Sequence, residues 1–150
     1  MKAQILMVSA LLAGPVSAGP WTDSGYIATA EPSPHGIYLD VYYSPDDGCD
    51  VARMGIVGNP DIAIVVLGVD DELIGNAEST YLDENVAVFM LSDLAVRKLK
   101  AGKVAVIITD QGRMVVSLEG SRLAIDRARI ACQRDLKESN DPLPAIGHEI

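Results

Sequence analysis

Two cysteines, Cys49 and Cys132, constrain this chain more than any other feature of its sequence. With two thiols only one intramolecular pairing exists. A bridge between them closes a long loop, and loop entropy alone puts its contribution at about 4 kcal/mol. Oxidation of the pair depends on compartment, and the N-terminus bears on that. Met1-Lys2 precedes an apolar run, Ile5 to Ala13, and then Val16-Ser17-Ala18. A short positive start, an apolar core of this length and a small-residue cleavage site describe a signal peptide over residues 1–18. The sequence therefore predicts a periplasmic or secreted protein with a structural Cys49–Cys132 disulfide. A catalytic thiol would need an adjacent base, and no histidine lies near either cysteine in sequence.

The apolar run is shorter than the roughly 20 residues a membrane helix needs. Pro15 follows Leu12-Ala13-Gly14, where a lipoprotein signal would carry cysteine. Asp70, Asp71 and Glu72 break the longest later apolar run. No stable membrane insertion is expected. Cleavage after Ala18 leaves a single domain of ordinary size, expected over residues 19–136, with residues 137–150 a flexible polar tail. The formal charge is −9, or −10 without the leader's one lysine. Nucleic-acid binding needs a cationic face to displace counterions, and this balance argues against it. A basic protein or a cation would be attracted.

Residues 19–34 read as a leader rich in Pro, Gly, Ser and Thr, with one short strand at Tyr26–Thr29. Strict alternation from Ile37 to Tyr43 predicts a half-buried strand, and Ser44-Pro45-Asp46-Asp47-Gly48 a turn. Strands are expected over Val51–Val57, Glu78–Leu82 and Val86–Leu91. The unbroken apolar run Ile62–Leu67 predicts a strand buried on both faces. Ser92 caps a short helix that Gly102 stops. Lys103–Thr109 and Arg113–Leu118 form a hairpin about Asp110-Gln111-Gly112. A last helix runs from Arg122 to about Arg134, with Ser121 as its N-cap, Leu123, Ile130 and Ala131 near its apolar face, and Cys132 in its last turn. The fold class is α+β, a mainly antiparallel sheet or sandwich with a short helix before a C-terminal hairpin and a terminal helix.

No pattern in the chain identifies an active site. His35 and His148 have no second ligand at metal-site spacing. Asp46, Asp47 and Asp50, and the run Asp70, Asp71 and Glu72, supply the hard oxygens calcium takes, but not at the spacing of a calcium loop. Carboxylate pairs that could cleave glycosides have no specificity without geometry. Ser117-Leu118-Glu119-Gly120-Ser121 does not match Gly-x-Ser-x-Gly, and Gly55, Gly58 and Gly68 are not spaced as a phosphate loop. Tyr38 and Tyr42 share the polar face of one strand, as a partner anchor or as cross-strand packing. No catalytic residue, metal or cofactor is therefore assigned.

One stretch carries a resemblance. Ser92-Asp93-Leu94, Leu99-Lys100-Ala101-Gly102-Lys103, Val104-Ala105-Val106, Val116-Ser117-Leu118-Glu119-Gly120-Ser121, Ala124 and the late Cys132 resemble the C-terminal half of invasion-associated locus B-like small exported proteins of Gram-negative bacteria. The similarity covers residues 91–132; the family's additional cysteines are missing. It implies an exported protein near the cell envelope, without catalysis, and transfers no catalytic residue. The expected function is a non-catalytic binding or envelope-associated protein whose partner is another envelope or secreted protein. The alternative is an acidic periplasmic inhibitor or immunity-type protein, steered to a basic hydrolase by opposite charge.

Overall fold

Leu39 and Val41 are fully buried while Tyr38, Asp40 and Tyr42 between them are half-buried, so the alternation read from the sequence is the pleat of a real strand. The computed structural model describes residues 16–17, 20–30, 37–58, 62–82 and 85–140. Its elements are β1 (Val16–Ser17), β2 (Thr22–Ser24), β3 (Ile27–Thr29), β4 (Tyr38–Tyr42), a 3₁₀ turn (Pro45–Asp47), β5 (Ala52–Val57), β6 (Ile64–Val69), β7 (Glu72–Glu78), β8 (Tyr81–Leu82), β9 (Val86–Leu91), α1 (Asp93–Ala101), β10 (Val104–Thr109), β11 (Gly112–Ser117) and α2 (Ser121–Asn140). The fold is α+β, with two sheets, two helices and one disulfide. The first sheet has the order β1-β11-β10-β6-β7 and the second β2-β3-β4-β5-β9-β8. Every pairing is antiparallel except that of β1 with β11.

One core joins the two sheets. Leu39 pairs with Ile56 and Val41 with Met54, and Met54 and Ile56 pair in turn with Phe89 and Ala87. In the other sheet Val69 pairs with Ala105, Leu67 with Ile107 and Ala105 with Val116. These side chains form a single buried cluster. Between β6, β7 and β9 it leaves an apolar crevice of about 120 Å³, lined by Met54, Leu67, Ile74 and Phe89 among others. That is well below the roughly 300 Å³ at which small-molecule sites begin.

Several expectations need correction. Residues 20–30 are not leader: Trp21 is buried, its backbone N–H donates to Glu119 O at 2.9 Å, and its Nε1 donates to Ser117 O at 2.8 Å. Gly25, at φ +59°, then turns β2 into β3. The run Ile62–Leu67 is not buried on both faces. Val65, Leu67 and Val69 enter the core, but Ile64 is 49% exposed. One side of β6 meets the second sheet; on the other Ile64 is exposed and Val66 half-buried. Asp70 and Asp71 both have positive φ and make the two-residue turn into β7, a strand the sequence reading placed too late. Ser121 is not a cap: it is buried and its hydroxyl donates to Leu99 O at 2.7 Å, satisfying a carbonyl at the end of α1. The last helix continues to Asn140, so residues 137–140 belong to it rather than to a tail. Of the expected signal peptide 1–18, Val16 and Ser17 form β1 beside β11; its other residues, and residues 141–150, lie outside the described residues.

Gly102 does stop α1, for a reason the sequence reading missed. Its backbone is extended, not left-handed. A Cβ there would collide with Val69 Cγ1 and lie 3.0 Å from Lys98 O, so glycine is needed for space. Asp70 Oδ1 accepts from the N–H groups of Lys103 and Val104 at 3.0 Å, which ties the end of α1 to the β6–β7 turn. Gly102→Ala is expected to cost about 1–3 kcal/mol by overpacking, measured by urea unfolding. Reduction, or the Cys49→Ala/Cys132→Ala pair, is expected to cost about 2–5 kcal/mol in the same assay.

Candidate functional site

The bridge decides how the long helix sits. Cys49, at φ +63° just after the 3₁₀ turn, and Cys132, both fully buried, are joined with their Cα atoms 5.9 Å apart. No free thiol is left among the described residues. With Cys132 pointing inward, residues four and eight positions earlier must point inward too. They are Ala128 and Ala124, and with Ile125 and Ser121 they form the buried row of α2. The small alanines let the helix lie close against β2, β3 and β4.

Leu123 and Ile130 therefore cannot face the core, contrary to the expectation from their spacing. They are 56% and 57% exposed. Together with Arg127 and Arg134 they stand at i, i+4, i+7 and i+11, one continuous row on the outward side of the helix. Arg127 reaches Asp23 only at 3.8 Å, and Arg134 reaches Asp135 at 3.9 Å, both with largely exposed side chains. Such pairs hold little of the charge. A shallow hollow lies where Arg127, Ile130 and Arg134 meet the turn at Gly25. The neighbouring Tyr26 hydroxyl donates to Asp135 Oδ2 at 2.7 Å.

A second, polar hollow lies beside the disulfide, between α1, α2 and β5. Tyr43, Asp50, Asp93, Arg97, Lys100 and Arg129 line it. Arg129 is held by three contacts: Nε donates to Cys49 O at 3.2 Å, Nη2 meets Asp50 Oδ1 at 3.5 Å, and the guanidinium lies over the Tyr43 ring, 5.8 Å from its centroid. Lys100 is paired with Asp126 at 2.6 Å. Burial pushes the Tyr43 hydroxyl above its ordinary pKa, against the opposing effect of Arg129. Tyr43 is therefore a neutral hydrogen-bonding group at physiological pH, not a phenolate nucleophile.

Four members of the acidic runs singled out in the sequence have partners of their own. Asp47 pairs with Arg53 at 2.5 Å, Asp50 with Arg129, and Glu72 with Lys98 at 2.9 Å, while Asp70 holds backbone N–H groups. Among the described residues no three His, Cys, Asp or Glu side chains converge on a point where a metal ion would sit. His35 and His148 lie outside the described residues. Tyr38 and Tyr42 flank Asp40 on the outer side of β4, opposite Gly55, and all three are half-buried. No family model, curated protein or solved structure matches the chain.

Asp40 is the carboxyl most affected by its surroundings. Burial raises its pKa, a hydrogen bond with Thr29 opposes the rise, and Oδ1 has no partner. A carboxyl raised on folding favours the native state when protonated and works against it once pH passes through the folded pKa. Asp40→Asn is therefore expected to raise the melting temperature at pH 7. The gain should shrink as the pH is lowered through the carboxyl range; a gain independent of pH would contradict this account.

Proposed function

We propose that the chain is an exported, non-catalytic binding protein of a Gram-negative cell envelope, docking another envelope or secreted protein on the outward face of α2. The observation that carries this reading is Leu123 and Ile130. They are large apolar side chains left in solvent on a helix whose inward row is mostly small. Arginine is enriched at protein-binding hot spots, and here Arg127 and Arg134 stand between and beside the two exposed apolar side chains. The buried bridge accords with an oxidising compartment, and no helix among the described residues is long and apolar enough to cross a membrane. The resemblance of residues 91–132 to invasion-associated locus B-like proteins points the same way. Its residues here have structural duties: Ser92 accepts from Ala95 N–H at 3.1 Å, Gly102 makes room for Val69, and the Ser121 hydroxyl donates to the Leu99 carbonyl.

A second reading has its own observation. Asp50 and Asp93 are exposed at the disulfide hollow, and carboxylates there suit an inhibitor of a basic hydrolase. The two readings use different surfaces. A photo-crosslinking residue placed at Ile130 in exporting cells is expected to give one discrete protein adduct, lost in Arg127→Glu/Arg134→Glu. An adduct obtained only from position 50 or 93, and released by salt before irradiation, would transfer the function to the inhibitor reading. No adduct from either surface would sink both.

A further inference from the structure

The first sheet turns one face to the core, and on its other face the β6–β10 pair leaves apolar side chains in solvent, although Val115 on the neighbouring β11 is buried. Cross-strand register defines that face. Across the middle of the sheet run Asn76, Val66, Ile108 and Arg113, directly paired from β7 to β11. The next row along holds Leu73, Gly68, Val106 and Val115, and Ile64 pairs with Glu78 on the opposite side of the middle row. Ile64 and Ile108 are about half exposed, at 49% and 47%, and Leu73 is 72% exposed. A contiguous apolar area on a regular sheet, with charge only at its borders, marks an interaction surface.

The borders say what covers it. On one side of the β6–β10 pair stands a cation, Arg113 on β11, the strand inside β1, and on the other a carboxylate, Glu78 on the edge strand β7, two residues along the strand from Asn76. Neither makes an ion pair with another described residue. Consider a second copy laid face to face, related by a two-fold axis parallel to the strands between the sheets. Rotation about that axis places β11 of one copy over β7 of the other. Arg113 then approaches Glu78 of the other copy, one row away, and the symmetry repeats the pair at the opposite border. Between the two pairs Ile108 of one copy faces Val66 of the other, with Ile64 and Val106 in the adjacent rows. An isologous interface must be self-complementary in this way, and face-to-face packing of apolar sheet faces is the way sandwiches are built.

We infer that the outer face of the β6–β10 pair is a homodimer interface, closed at both borders by Arg113 of one copy and Glu78 of the other. It lies on a different element from the face of α2, so either surface can fail without the other. Sedimentation velocity on the purified protein, from low micromolar to submillimolar concentration, is expected to show a monomer–dimer equilibrium. Ile108→Lys should weaken it by about 30-fold or more, the effect of losing a central anchor. Arg113→Glu should weaken it by about fivefold, and Arg113→Glu combined with Glu78→Arg should restore it. Circular dichroism melts check that each variant is folded; if Ile108→Lys is not, the charge exchange alone decides. A monomer at every concentration, or a dimer indifferent to the substitutions, overturns the inference.

Discussion

The covalent link between Cys49 and Cys132 fixes more of this molecule than a contribution to stability. It sets the rotation of α2. A helix facing a sheet can present any side unless something chooses one, and a buried bridge from the middle of the helix chooses it outright. Ala124 and Ala128 then fall on the inward row, and the helix approaches the second sheet closely because nothing larger separates them. The same rotation puts Ser121 under the end of α1, where its hydroxyl takes the Leu99 carbonyl, so the two helices are tied as a pair. It also brings Arg129 to the carbonyl of Cys49 and over the ring of Tyr43, which covers the bridge from the solvent side.

The polar groups at the ends of elements have equally definite roles. Asp70 holds two backbone N–H groups at the start of β10, and Asp110 Oδ1 accepts from Ala63 N–H at 3.2 Å at the start of β6. Both aspartates therefore connect neighbouring strands through their backbones, where an unpaired N–H would otherwise face partial burial. In the acidic composition of the chain these residues are indistinguishable from solvated charge. In the fold they act as short ties between a turn and an adjacent strand.

The parts of the fold legible in the sequence are those governed by local rules. The alternation of Tyr38–Tyr42 and the Ser44–Gly48 turn depend on neighbours within a few residues, and so do the Ser92 cap and the β10–β11 hairpin; each is found where local chemistry places it. Errors arose where a distant contact decides. Ile64 looks buried in a run of apolar residues, yet burial is a property of the layer above it, which the run does not encode. Leu123 and Ile130 outweigh alanine in any hydrophobic count, yet the bridge overrules the count. The signal was nonetheless present: once Cys132 is taken as buried, stepping back four and eight residues reaches Ala128 and Ala124 and leaves Leu123 and Ile130 outside. Trp21 carried a similar signal, since a lone tryptophan within a polar segment is more readily explained by a place in the core than by a leader.

Charge is distributed unevenly over these surfaces, and that separates them physically. The whole chain carries −9, yet α2 holds five cations against three carboxylates. The helix is therefore a positive band on a negative body. A broad anionic surface such as a membrane would meet the body's repulsion together with the band's attraction. A single acidic segment can lie along Arg127 and Arg134 and remain within the band. The open face of the first sheet is uncharged at its centre, so its association depends on apolar area and shape, and ionic strength acts on it mainly through the bordering Arg113 and Glu78. The two proposed surfaces thus differ in physical character: leucine and isoleucine set between arginines along the helix, and isoleucine and valine across the sheet.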